Sequence, residues 1–208
     1  MCGIVGYFSQ KKGPLDDLYL MKIIRESRIR GLHSFGLSYV KAGGVHTMKY
    51  YQNEFKEITI PENVKALIYH NRYSTSGDFQ DCLNIQPLHL GPTSLVFNGV
   101  IDMGTKEEMQ AKYGYKMQTS NDGEILINVS KGCPELMLRF VNSRVCSFSG
   151  LLLNKNNLHA MTNGKRPLYK LQVDDSIFIA STRDILRRAI PFCEPEAITI
   201  NEVQTWKI

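Results

Sequence analysis

The sequence predicts an α+β protein built on antiparallel sheets. Strand patterns occupy the first part of the 208-residue chain, helical patterns follow, and strand patterns return after residue 145. Polar turns typical of hairpins join most of the strands, whereas a parallel sheet would need strands alternating with helices. Because no linker, repeat or low-complexity segment interrupts the chain, we expect one domain over residues 1–208.

The composition is that of an ordinary globular protein, with 43% hydrophobic and 22% charged residues. The net charge is +5, but the basic residues are dispersed, which argues against a nucleic-acid partner. No apolar run is long enough to cross a membrane, and no secretory signal is recognisable. The cysteines lack C-x-x-C spacing, so we expect a reduced, cytoplasmic protein without metal or cofactor.

The first half of the chain is expected to hold the first sheet. The apolar run Ile4 to Phe8 predicts a buried strand, and Pro14 opens a helix that Gly31 is expected to cap. A hairpin follows about Ala42-Gly43-Gly44. A buried strand is predicted over Lys65 to His70 and a short one over Leu95 to Phe97, ending at Asn98-Gly99.

Between those two strands, residues 71–93 are predicted to form a long irregular segment, of a kind that is often functional. Further on, Thr105 and Glu108 form a capping box for a helix that ends at Gly114. The remaining predicted helices cover Asn121 to Lys131, Glu135 to Asn142 and a short stretch after Thr182. The remaining predicted strands cover 145–153, 158–162, 167–172, 176–181, 197–200 and 202–207.

Cys2 is the first candidate for chemistry. If Met1 is removed, Cys2 carries a thiol beside its own α-amine, which titrates at about 7.7–8.0 and can accept the thiol proton. The buried strand that follows would hold this residue rigidly. The alternative is that Cys2 is simply a small residue packed at the start of a strand.

Six short motifs occur in an order that resembles a known family. They are Cys2-Gly3-Ile4-Val5-Gly6, Arg30-Gly31-x-x-Ser34-x-Gly36, His70-x-Arg72-x-Ser74, Phe97-Asn98-Gly99-x-Ile101, Asn121-Asp122-x-Glu124-Ile125-Leu126 and Gly164-x-Arg166-Pro167-Leu168-Tyr169. Together they resemble the glutaminase domain of class II glutamine amidotransferases, which are N-terminal-nucleophile (Ntn) hydrolases. The resemblance implies a four-layer αββα sandwich of two antiparallel sheets.

The resemblance also implies roles for individual residues. Cys2 would be the nucleophile, and Asn98 and Gly99 would form the oxyanion hole. Arg72 would bind the α-carboxylate of glutamine through its bidentate fork, and Asp122 would bind the α-ammonium. The alternatives are an ordinary Asn-Gly turn, a surface ion pair for Arg72, and a first-turn helix acid for Asp122.

By the same resemblance, Arg30 and Ser74 support the site without touching substrate, although Arg30 could equally serve the dipole at a helix end. We interpret the motif from Gly164 to Tyr169 as mainly structural. The sequence departs from family patterns at Val100, where asparagine synthetases carry a Glu, and at Ser76, where the hexosamine enzymes carry a His.

The expected function is hydrolysis of L-glutamine to L-glutamate and ammonia through a glutamyl thioester on Cys2. No phosphate-binding loop or acceptor domain is recognisable, so we expect the ammonia to pass to a separate synthetase subunit. Two alternatives remain open: an Ntn hydrolase with another amide substrate, and a non-catalytic interaction module that retains the fold.

Overall fold

Two antiparallel sheets lie face to face in the computed structural model, which describes residues 2–51, 58–73 and 81–208. The strands are β1 (Gly3–Ser9), β2 (Ser34–Lys41), β3 (Gly44–Tyr51), β4 (Ala66–Arg72), β5 (Leu88–Leu90), β6 (Thr93–Val100), β7 (Ser147–Leu153), β8 (Asn157–Thr162), β9 (Tyr169–Val173), β10 (Ser176–Ala180), β11 (Glu196–Ala197) and β12 (Gln204–Lys207). The helices are α1 (Asp16–Ser27), α2 (Lys106–Tyr113), α3 (Gly123–Ser130), α4 (Pro134–Asn142) and α5 (Arg183–Ala189). Short 3-10 helices cover Arg28–Arg30 and Cys82–Asn84.

The amino-terminal strand lies in the middle of one sheet. Over the described ranges, this sheet has the order β11-β9-β10-β1-β4-β2-β3, and the other has the order β12-β8-β7-β6-β5. β1 pairs with β4 so that Gly3 lies opposite Asn71, and β6 pairs with β7 so that Asn98 lies opposite Ser149. The beginning of β1 and the end of β4 therefore lie side by side.

Side-chain alternation along the strands divides the core into layers. Val5 of β1 and Leu67 of β4 pack with α1 and α5 on the outer face of the first sheet. Their neighbours Ile4 and Ile68 pack between the two sheets, together with Val96 of β6. On its other face the second sheet packs against α3 and α4. The predicted four-layer αββα sandwich is confirmed.

Local sequence signals located most elements correctly, with differences in detail at two of them. The capping box of α2 is present, and Gly114 ends that helix in the left-handed conformation. However, α1 begins at Asp16 rather than at Pro14. Gly31 follows the 3-10 helix Arg28–Arg30, and its N–H donates to the carbonyl oxygen of Arg28, so it ends the helical segment as predicted. Its backbone is extended, with φ −159°, rather than left-handed. A Cβ there would lie 2.6 Å from the backbone of Asn71, so glycine is required by the packing of the chain against β4.

The segment between β4 and β6 also differs from its prediction. It is not wholly irregular, since it contains β5 and a 3-10 helix within residues 82–90. Residues 74–80 lie outside the described ranges, so the expectations for Ser74 and Ser76 are untested. The Asn-Gly turn is wrong as an interpretation, because β6 continues through Asn98 and Gly99 to Val100. The strand predicted over 197–200 is reduced to Glu196–Ala197.

In the described part of the chain, no helix combines the length and the apolar character that crossing a membrane requires. Within the same ranges, no group of three or more His, Cys, Asp or Glu side chains is arranged to hold a metal ion.

Candidate active site

Cys2 is held by backbone and side-chain contacts on two sides. The Nε of Arg30 donates a hydrogen bond to its carbonyl oxygen at 3.0 Å. Its Sγ lies 3.4 Å from both the N–H and the carbonyl oxygen of Tyr73, the residue that follows β4. The ring of His33 stacks on Tyr73 with centroids 5.1 Å apart. These contacts place the thiol at the end of two central strands of the first sheet, where β1 begins and β4 ends.

The surroundings keep the Cys2 thiol protonated at neutral pH. Burial raises the pKa of this thiol, and the negative charge of Asp122 acts in the same direction. The hydrogen bond from the Tyr73 backbone and the positive charge of Arg72 oppose the shift without reversing it. Nucleophilic attack from this thiol therefore requires a base to remove its proton.

Asn98 extends into the space between the two sheets. Asn98 lies on the same face of β6 as Val96, two residues earlier, and Val96 belongs to the core between the sheets. The residue is 2% exposed, and its Nδ2 has no hydrogen-bond partner among the described residues. A buried amide donor without a partner is costly, so such groups in native proteins usually have a functional or solvent-related explanation.

Gly99 is required by the packing of the second sheet. A Cβ at this position would lie 1.9 Å from the carbonyl oxygen of Ser147 on β7. Any other residue would force β6 and β7 apart and displace the neighbouring Asn98. The glycine in this motif therefore has a structural reason that is independent of any oxyanion.

Arg72 is not a surface ion pair, since it is only 3% exposed. It ends β4 opposite Ser34 of β2, and on its other side it adjoins the beginning of β1. Its charge influences the pKa of Cys2 and of His70. A buried guanidinium next to the candidate nucleophile is suited to bind a carboxylate.

Asp122 is the residue that precedes α3, but it does not cap that helix through its side chain. Its Oδ2 accepts hydrogen bonds from the backbone N–H groups of Ile101 at 2.7 Å and Asp102 at 3.3 Å. The carboxylate thus holds the chain that leaves β6, two residues after Gly99. The first-turn interpretation of Asp122 is incomplete, because the contact it makes is tertiary.

Gly123 explains how α3 comes so close to β6. A Cβ there would lie 2.0 Å from the ring of Phe97. The aromatic ring therefore occupies the space of a side chain at the first residue of α3. This contact fixes Asp122 relative to the strand that carries Asn98. The sequence pattern gives no indication of the contact.

Sequence reasoning underestimated Arg166. The Nε of Arg166 donates to the Oγ of Ser147 at 3.2 Å, and the same Oγ accepts the backbone N–H of Val100. Arg166 is also close enough to Arg30 to lower the pKa of that guanidinium, after the larger effect of burial. The motif from Gly164 to Tyr169 therefore has more than a structural role, because its Arg166 lies beside the site. The presence of an arginine in this motif was the sequence feature that could have indicated this.

The structure brings Cys2 together with Arg72 and Asp122, whose charges both act on its thiol. The strands β1 and β4 pack against β6, which carries Asn98 and Gly99. Arg30 contacts the backbone of Cys2. Ser74 lies outside the described ranges.

The architecture is similar to that of the Ntn glutaminase domains of class II glutamine amidotransferases, so the resemblance seen in the motifs is confirmed at the level of the fold. The glutamine phosphoribosylpyrophosphate amidotransferase of B. subtilis superposes with a TM-score of 0.73 at 16% identity. The superposition covers 99% of this chain and 49% of that one.

Two curated relatives are glutamine–fructose-6-phosphate aminotransferases (isomerizing). The protein of Bacillus subtilis (strain 168) is 30% identical over 135 residues, which cover 62% of this chain and 22% of that enzyme. The protein of Helicobacter pylori (strain J99) is 28% identical over 204 residues, which cover 89% of this chain and 33% of that enzyme. The chain therefore matches a third or less of the length of these relatives. No family model matches the sequence.

Proposed function

We propose that this chain hydrolyses L-glutamine to L-glutamate and ammonia, with Cys2 as the nucleophile. The observation that carries the proposal is the buried Asn98 amide without a partner among the described residues, in the sheet that faces the strands next to Cys2. The names of the relatives above, which include glutamine, support glutamine as the substrate.

The reaction begins with proton transfer. After removal of Met1, the α-amine of Cys2 accepts the thiol proton, and the sulfur attacks the side-chain carbonyl carbon of glutamine. The C–S bond forms while the carbonyl π pair moves onto oxygen. The resulting oxyanion accepts hydrogen bonds from the Nδ2 of Asn98 and the backbone N–H of Gly99.

The oxyanion then collapses, the C–N bond breaks, and the α-ammonium returns its proton to the leaving nitrogen, which departs as ammonia. A water molecule attacks the thioester with the α-amine again as base. The C–S bond breaks, the thiol regains a proton, and glutamate is released. The raised pKa of Cys2 supports this sequence, because a protonated thiol requires the base that the α-amine supplies.

Recognition of a free amino acid requires opposite charges at two ends of a small site. Arg72 binds the α-carboxylate, and Asp122 binds the α-ammonium with the carboxylate that also holds the backbone of Ile101. Arg30 is a positioning residue that holds the backbone of Cys2. We further propose that the ammonia serves a synthetase partner, as the aminotransferase names of the curated relatives suggest.

The test combines intact mass with glutaminase kinetics. We expect the active protein to lack Met1, and Cys2→Ala to remove activity while the protein stays folded, because the truncation costs only about 1 kcal/mol. The control is Cys193→Ala, which should retain activity. Cys193 is partly buried and packs against the core between the first sheet and the helices α1 and α5. Active protein that retains Met1, or Cys2→Ala with more than a hundredth of wild-type activity, contradicts the mechanism.

A further inference from the structure

His70 is a fully buried imidazole next to the proposed site. It lies on β4 two residues before Arg72, between Ile4 of β1 and Gly36 of β2. His70 lies on the same face of β4 as Ile68, which belongs to the core between the sheets. The residue is 0% exposed, and no step of the proposed reaction uses it. A titratable side chain at such a position requires a physical explanation.

The side chain of His70 lies on the face of β4 that is directed towards the second sheet. It lies against the backbone carbonyl of Phe97, which belongs to the same peptide group as the nitrogen of Asn98. Neither ring nitrogen has a hydrogen bond of full geometry to any residue in the described ranges. Its strand, β4, packs directly on β6. The imidazole is thus next to the strand position that carries the proposed oxyanion donor.

The charge state of this imidazole is determined by its surroundings. Burial, followed by the positive charge of Arg72, lowers the pKa of His70 to about 3 against the smaller opposing effect of the Phe97 carbonyl. The ring is therefore neutral at physiological pH and has one N–H donor and one acceptor nitrogen. The Phe97 carbonyl favours the N–H on the nitrogen that approaches it. The other nitrogen is then an acceptor in the space that the Asn98 amide also faces.

We propose that His70 is a positioning residue that orients the Asn98 carboxamide for the oxyanion. Its N–H holds the peptide between Phe97 and Asn98 through the Phe97 carbonyl. Its other nitrogen accepts a hydrogen bond from a single buried water, whose oxygen accepts one Nδ2 hydrogen of Asn98. The second Nδ2 hydrogen is then directed at the substrate. A polar interior space with several partners is where proteins retain such a water. The inference rests on the proposed function, because it assigns the Asn98 amide to an oxyanion.

This arrangement affects the transition state more than substrate binding. Oxyanion donors contribute when they are already in place, and a displacement of about 1 Å can cost about 100-fold in rate. The carboxylate of glutamine is bound elsewhere, by Arg72. Loss of the His70 contacts should therefore lower kcat and leave KM nearly constant.

Three variants separate positioning from simple packing. His70→Leu retains bulk but has no hydrogen-bonding groups, and His70→Gln restores one donor and one acceptor. His159→Leu is the control, because His159 is also buried but lies on the face of β8 directed away from the other sheet, where it bonds Thr205. We expect about a tenfold or greater fall in kcat for His70→Leu, substantial recovery for His70→Gln, and no change for His159→Leu. If His70→Leu does not fold, His70→Asn, which is polar but shorter, takes its place.

A second measurement is independent of activity. In ¹⁵N NMR spectra, the Asn98 side-chain amide should give one ordered pair of signals in the wild type and in His70→Gln, and averaged signals in His70→Leu. Unchanged kcat in a folded His70→Leu, or an Asn98 amide that is equally ordered in all variants, overturns the inference. If the wild-type chain does not hydrolyse glutamine but the amide still responds to His70, the proposed function fails, and His70 orders the Asn98 amide without serving an oxyanion of glutamine hydrolysis.

Discussion

Replacement of Asn98 by alanine is expected to separate activity from stability. Removal of one oxyanion donor typically lowers kcat by about 10²–10³, which corresponds to about 2.7–4 kcal/mol of transition-state stabilisation. The Nδ2 of Asn98 is buried and has no partner in the described ranges, so its deletion removes a desolvated donor that costs about 1–3 kcal/mol. The small cavity left by truncation costs a similar amount. The free energy of unfolding should therefore stay within about 1 kcal/mol of the wild-type value.

The assay is steady-state release of glutamate, with urea unfolding of the same preparations. The matched control is Asn154→Ala in the turn between β7 and β8, whose Oδ1 accepts the N–H groups of Asn156 and Asn157, both at 2.9 Å. This control should lose about 1–2 kcal/mol of stability and keep its kcat. An Asn98→Ala protein with unchanged kcat would refute the oxyanion assignment, and one destabilised by 3 kcal/mol or more would show that Asn98 is mainly structural.

The remaining predictions concern binding, packing and pH. Arg72→Lys should raise KM for glutamine about tenfold or more with a smaller change in kcat, because lysine lacks the bidentate fork of arginine. The control is Arg139→Lys, at an exposed arginine. An unchanged KM in Arg72→Lys would contradict carboxylate binding by Arg72. Gly123→Ala should lower both the melting temperature and the activity, since its Cβ would lie 2.0 Å from the Phe97 ring, and Phe97→Leu in the same chain should partly restore them; no recovery would place the strain elsewhere. The pKa of His70 is about 3 in the folded protein against about 6.5 unfolded, so its contribution to stability is complete above pH 6.5 and declines as the pH falls towards 3. His70→Gln should therefore reduce the loss of unfolding free energy between pH 7 and pH 5 by about 2 kcal/mol, and an equal loss in both proteins would show that His70 is not buried as a neutral group.

Short-range signals in the sequence were sufficient for the elements whose causes are local. The capping box of α2 involves Thr105 and Glu108, three residues apart, and the left-handed Gly114 follows from the same local geometry. The hairpin of β2 and β3 likewise depends on its own turn residues. Motif order, read along the whole chain, indicated the resemblance to class II glutaminase domains and with it the sandwich of two sheets.

Predictions were incomplete or wrong where a distant part of the chain decides the conformation. Gly31 is extended because β4 passes within van der Waals distance of it, not because a helix needs a left-handed cap. The dipeptide Asn98-Gly99 has the composition of a turn, yet pairing with β7 keeps it in a strand. In both cases the deciding contact comes from a strand that is distant in sequence. The conformational preferences of the residues themselves therefore cannot predict it.

By itself, the sequence determined the fold class, the family resemblance and the candidate residues, because these depend on local patterns and on which residue types occur in which order. Only the tertiary structure decided what these residues contact. The burial of Arg72, the hydrogen bond that the Ile101 N–H donates to Asp122, the approach of His70 to Phe97 and the Asn98 amide without a partner in the described ranges are such contacts. All of them arise where two sheets and a helix meet. Each contact depends on the distance and orientation between separately encoded elements, and these are set by packing of the whole core rather than by any segment alone.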